Sequence, residues 1–96
     1  MSAPLARRRY RFYGTVQGVG FRWRARHAAE ALGLTGWVRN ERDGSVTLEL
    51  QGSEEQIDRV LESLERGLYI RIAALDARTI PVEEGERGFA TRDDGW

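Results

Sequence analysis

The 96-residue sequence contains no cysteine, no lysine, one histidine, one asparagine and two prolines. Without cysteine there is no disulfide, no thiolate nucleophile and no cysteine-ligated metal. Without lysine there is no Schiff-base chemistry, nor the phosphate-gripping lysine of a nucleotide-hydrolase loop. The single histidine, His27, has no acid–base partner suggested nearby and falls off the apolar stripe of its segment, so it reads as a surface residue. Net charge is absent too, because 15 arginines balance 15 acids. A nucleic-acid binder is expected to carry a basic excess, and that class loses weight. No apolar run approaches the ~20 residues needed to cross a bilayer. The basic cluster Arg7–Arg9 has no hydrophobic segment behind it, which is not the pattern of a secretory signal. A single small cytoplasmic domain is expected, without nucleic-acid or membrane partners.

What is present is a regular alternation of patterns. Residues 1–7 read as a frayed polar tail, with Arg7–Arg9 solvated. From Arg9 to Gly14, Tyr10 and Phe12 alternate with Arg9, Arg11 and Tyr13, the pattern of a half-buried strand. Phe21, Ala25, Ala28, Ala29 and Leu32 recur at helical spacing, with Gly33 as the stop. Leu34–Asn40 reads as a second strand, with Trp37 on the open sheet face by parity. Glu41-Arg42-Asp43-Gly44 signals a hairpin, and Val46, Leu48 and Leu50 alternate in a third strand. Ser53-Glu54-Glu55-Gln56 is a capping box, opening a helix with the stripe Ile57, Val60, Leu61 and Leu64. Gly67 closes it. Residues 71–80 are a fourth strand, Glu83, Glu84 and Glu86 a solvated turn, and Phe89–Arg92 a short fifth strand. The order β-α-β-β-α-β specifies an α+β, ferredoxin-like fold, with two helices on one face of a four- to five-stranded, mainly antiparallel sheet. Residues 8–92 form the domain, and 93–96 a short acidic tail.

The segment Gly14-Thr15-Val16-Gln17-Gly18-Val19-Gly20-Phe21-Arg22 stands between the first strand and the first helix. Glycine lets the main chain turn tightly and bring its N–H groups close to a ligand. Converging N–H groups ahead of a helix start form a concave anion site, and the Arg22 fork would clamp two phosphate oxygens. The same spacing also fits a plain strand-to-helix turn with a solvated arginine. In this topology the first and second strands run the same way with the third between them, so the loop and Asn40 meet at one sheet edge. Asn40 shares parity with Val38, which points it to the helix-covered side. Its amide can orient a water without changing charge, although an asparagine before Asp-Gly is equally a turn residue.

The two blocks Gly14–Arg22 and Leu32-Gly-Leu-Thr-Gly-Trp-Val-Arg-Asn40 closely resemble, in order and spacing, the two signatures of acylphosphatases. Asp43-Gly44 and Gly52-Ser53 are similar to family features as well, and the resemblance spans residues 9–92. It implies hydrolysis of acyl phosphates to a carboxylate and inorganic phosphate, with no cofactor and no metal. It assigns phosphate binding to Arg22 and water positioning to Asn40. The main-chain amides of Gln17, Gly18, Val19, Gly20, Phe21 and Arg22 would line a phosphate cradle that also accepts phosphate or sulfate. The partner is then a small-molecule acyl phosphate, and the protein a stand-alone monomer. Two segments depart from the pattern. Gly67-Leu68-Tyr69-Ile70-Arg71-Ile72 replaces a Gly-Pro-containing turn, and Asp93-Asp94-Gly95-Trp96 extends the usual terminus.

Other residues carry less. Trp23 is expected to pack on the sheet rim rather than edge an acyl pocket, and Phe21 to be core first and site wall second. An RNA-recognition module shares this topology, yet it needs paired aromatics on its open face, where Thr47, Glu49 and Gln51 stand. A relative that binds phosphate without turning over is separable only by assay. The N-terminal domain of a hydrogenase-maturation carbamoyltransferase is a further relative with similar blocks.

Overall fold

A computed structural model describes residues 4–93. The chain forms β1 (Ala6–Thr15), α1 (Phe21–Ala31), β2 (Thr35–Asn40), β3 (Val46–Gly52), α2 (Glu54–Glu65), β4 (Arg71–Ile80) and β5 (Phe89–Thr91). The sheet order is β4-β1-β3-β2-β5. Each neighbouring pair is antiparallel except β2 and β5, which are parallel. This is the expected ferredoxin-like α+β arrangement, with β5 added at one edge. β1 and β2 are both antiparallel to β3, which lies between them, so Thr15 and Asn40 end at the same edge of the sheet.

Strand alternation supplies one wall of the core. Tyr10 pairs with Leu48 and Phe12 with Val46 across β1 and β3, while Val38 faces Leu48 from the other side. The helices supply the second wall through Phe21, Ala25 and Ala29 of α1 and Ile57, Val60 and Leu64 of α2. The alanines keep α1 close to the sheet. Gly33 ends α1 with φ 72. Its N–H donates to Glu30 O at 3.1 Å, and that of Leu34 reaches back to Ala29 O at 2.9 Å. This is the paired-bond stop that a glycine after a helix allows. In the atypical segment 67–72, Ile70 turns inward and is 4% exposed. A side chain at Gly67 would meet Ile70 Cδ1 at 2.4 Å, so the missing Cβ makes the space. Burying an isoleucine contributes about 1.5–3 kcal/mol, enough to anchor this turn while Leu68 and Tyr69 face solvent.

Three expectations about the other sheet face are corrected. β1 begins at Ala6 rather than at Arg9, and Arg7 is buried, not part of a solvated tail. Its Nε donates to Glu49 Oε1 at 2.9 Å, and its two terminal nitrogens donate to Glu86 at 2.7 and 3.1 Å. Glu86 is therefore held against the sheet rather than in a free acidic turn. Burial opposes its ionisation, yet the hydrogen bonds and charge of Arg7 outweigh that and hold its carboxyl below the ordinary 4.5. Gln51 clasps the same connection, since Glu83 N donates to its Oε1 at 2.8 Å and its Nε2 donates to Glu83 O at 3.1 Å. Trp37 does face this side, but it is covered by the Arg92 and Arg39 guanidiniums, 4.2 and 5.1 Å from its ring centre. Tyr13, the other aromatic on this face, is half-buried with the Arg11 guanidinium 5.8 Å from its ring centre, so no open pair of aromatics is left to stack bases. Residues 1–3 of the expected tail and 94–96 of the acidic tail lie outside the described residues.

Candidate active site

The glycine loop is built by alternation. Val16 and Phe21 are buried, and Val19 packs half-buried against the same core. These apolar residues tether the loop from inside, while Gly18 and Gly20 rise outward with φ 72 and 81. A Cβ at either glycine would meet nothing within 4 Å, so left-handed backbone, not crowding, is what requires glycine there.

Gly20 is the N-cap of α1, with no side-chain cap and no acid in the first turn. The first helical bond runs from Arg24 N to Gly20 O at 2.9 Å. The N–H groups of Phe21, Arg22 and Trp23 precede it, in the first turn where the helical ladder supplies no acceptor. They sit at the positive end of the helix dipole, where an anion is favoured.

Arg22, Asn40, Gly18 and Gly20 line one hollow of about 440 Å³, together with Val16, Phe21, Trp23, Arg26 and Thr91. Larger hollows lie beside the start of α2 and along β4, at about 560 and 540 Å³, and neither includes Arg22 or Asn40. Size does not decide here: the hollow beside α2 also holds a guanidinium (Arg59) and amides, but the start of that helix is already capped by Ser53, whereas the start of α1 has no side-chain cap. Asn40 is the last residue of β2 and pairs with Val46, which puts it on the helix side with Val38. It is 8% exposed. The turn-making role falls to Asp43 instead, whose Oδ1 accepts Ser45 N at 2.9 Å.

Two further contacts fix the loop relative to Asn40. The Gln17 side chain leaves the loop and donates from Nε2 to Glu41 O at 2.7 Å and to Ser45 O at 2.9 Å. Both carbonyls belong to the hairpin that follows Asn40, so the loop is tied to the strand end it must face. Glu41 accepts in turn from Arg39 Nη2 at 3.0 Å and from the Thr47 hydroxyl. Burial raises the Glu41 pKa, but the Thr47 hydrogen bond and the Arg39 contacts overcome this and leave it below 4.5.

Of the residues named from the sequence, Gly18, Gly20, Phe21, Arg22 and Asn40 meet in this hollow, whereas the side chains of Gln17 and Val19 do not line it. Thr91 and Arg26 are additions. Thr91 arrives because β5 runs parallel beside β2 and pairs with Val38, a long-range pairing with no local signal. Trp23 corrects the rim-packing expectation, being 64% exposed and stacked on His27 with ring centres 3.9 Å apart. His27 is exposed, as expected. Among the described residues, no group of three histidine, cysteine or acidic side chains is placed to hold a metal ion, and no helix is long and apolar enough to cross a membrane.

Comparison with known proteins gives a consistent outcome. The family model described as Acylphosphatase matches residues 8–91. An acylphosphatase of Rhizobium etli is 52% identical over 82 residues, covering 84% of this chain and 87% of its own. An acylphosphatase of Pseudomonas paraeruginosa is 46% identical over 80 residues, covering 82% and 87%. The crystal structure of acylphosphatase from Bacillus subtilis superposes with TM-score 0.83 at 29% identity, over 93% of this chain and 99% of that one.

Proposed function

This chain belongs to the acylphosphatase family and hydrolyses acyl phosphates, and we propose that Arg22, the loop amides and Asn40 carry that reaction. The substrate phosphoryl group sits over the start of α1. Main-chain N–H groups from Gln17 to Arg22 and the Arg22 fork balance the charge on its equatorial oxygens. The leaving group is a carboxylate, a weak base, so its departure needs no strong general acid. What remains is to hold the phosphoryl group and aim a water in line with the breaking P–O bond. Asn40 orients that water. As the amide accepts no proton at neutral pH, the water's proton passes to a phosphoryl oxygen of the substrate. The products are a free carboxylate and inorganic phosphate.

One observation carries this reading. Arg22, in the first turn of α1, and Asn40, at the end of β2, line one hollow at the uncapped start of that helix. The chemistry as written needs no metal and no cofactor, and inorganic phosphate or sulfate would occupy the same cradle. The protein would act as a cytoplasmic monomer. The test is hydrolysis of acetyl and benzoyl phosphate with excess chelator present. Turnover that survives the chelator is expected, and strict dependence on added metal would overturn the mechanism.

A further inference from the structure

We propose that Trp23 determines specificity within this site, selecting acyl phosphates whose acyl group is aromatic or bulky and uncharged. The inference rests on the acyl phosphate reading and adds the chemistry of the group that leaves. The cradle addresses only the phosphoryl half of the substrate, so the acyl half must lie toward the rim of the hollow. Val16 and Phe21 also line that hollow, but they are 1% and 2% exposed, their surfaces already used in the core. Trp23 is the large apolar side chain left open there, at 64% exposure.

The indole is also braced. His27 lies one turn further along α1, with its ring centre 3.9 Å from that of Trp23 and the two planes inclined by 35°. A braced ring loses less conformational freedom when a ligand stacks on it. The other arginine lining the hollow, Arg26, is engaged by Glu30 at 2.6 Å. That pairing leaves less attraction for a second negative group on the acyl moiety than a lone arginine would offer. A flat indole beside a locally balanced charge thus favours a neutral aromatic group over an acetyl or an anionic one.

The experiment compares kcat/KM for benzoyl and acetyl phosphate in the unmodified protein and in Trp23→Ala, Trp23→Phe and His27→Ala. Aromatic pairing of ordinary strength predicts that Trp23→Ala lowers the benzoyl-to-acetyl ratio about two- to tenfold, mainly through KM. Trp23→Phe should restore most of the ratio, and His27→Ala should lower it less than Trp23→Ala does. Competitive inhibition by inorganic phosphate should hold in all three variants, because the cradle is untouched. An unchanged ratio in Trp23→Ala, or equal losses on both substrates, would overturn the proposal while leaving the acyl phosphate reading intact. Failure of the unmodified protein to hydrolyse either compound would instead remove that reading, and this inference with it.

Discussion

The two helices begin in opposite ways. At the start of α2, Ser53 Oγ accepts Gln56 N at 3.2 Å and Gln56 Oε1 accepts Ser53 N at 3.4 Å, with Glu54 and Glu55 in the first turn. A side-chain cap, a reciprocal capping box and an acidic first turn are all present. At the start of α1 stands Gly20, uncapped by any side chain, with Arg22 in a first turn that holds no acid. By the ordinary energetics of helix ends, a glycine in place of a side-chain cap costs only a few tenths of a kcal/mol, and the wrong-signed charge about 0.3–1 kcal/mol more. The weaker end is the one that opens onto the hollow shared with Asn40. One helix start is completed by its own sequence. The other has no side-chain cap, and under the proposed mechanism it is where the substrate's phosphoryl group binds.

That contrast can be tested from both sides. Arg22→Ala should lower kcat/KM for benzoyl phosphate by at least a factor of about 10²–10³, equivalent to roughly 3–4 kcal/mol, and Arg22→Lys should recover little because it lacks the planar fork. Asn40→Ala should lose turnover on a similar scale while keeping most of its affinity for inorganic phosphate. A near-normal rate in that variant would end the water-positioning role. Circular dichroism should find both proteins folded. Next in size is a ligand effect. Inorganic phosphate at about 100 times its Kd should stabilise the unmodified protein by about 2.7 kcal/mol, read as a rise in Tm, and Arg22→Ala should largely abolish the rise.

The opposite behaviour is expected at α2. Ser53→Ala should cost about 1 kcal/mol of stability in urea denaturation and leave kcat/KM unchanged. If it impaired catalysis as strongly as it impaired stability, the division between the two helix starts would be wrong. The smallest effect is in acid. The carboxyls of Glu41 and Glu86 titrate below 4.5 in the folded protein. The stability they contribute is therefore fully present above that value and is lost as pH falls through their lowered pKa values. Urea midpoints should be flat from neutral pH down to about 5 and fall below 4.5, and Glu86→Gln should flatten part of the fall.

Much of this organisation is legible in the residues, and the failures share a cause. Alternation in β1 and β3, the Ser53 capping box and the Gly33 stop are local signals, and the structure keeps them. The tight turn expected at Gly18 and Gly20 has the same local origin, and both residues take positive φ. Arg7 departs from its expected solvated place because its partners, Glu49 and Glu86, lie far along the chain, and an arginine near a terminus looks solvated until a long-range partner buries it. Trp37 was assigned to the correct face, but Arg39 and Arg92 closing over it required β5 to be in place. The reach of Gln17 to the hairpin and the arrival of Thr91 in the hollow have the same non-local origin.

By itself the sequence determined the elements, their order, which face of each is apolar, and the two short blocks to which the proposed chemistry is assigned. Those properties depend on neighbours a few residues apart, through backbone freedom, side-chain periodicity and capping. Tertiary structure alone decided which distant groups share the hollow, that Trp23 stays open on its rim, and that an arginine thought to be solvated is locked into the sheet. Such outcomes depend on strand pairing and on desolvation by partners remote in the chain, and no local pattern encodes either.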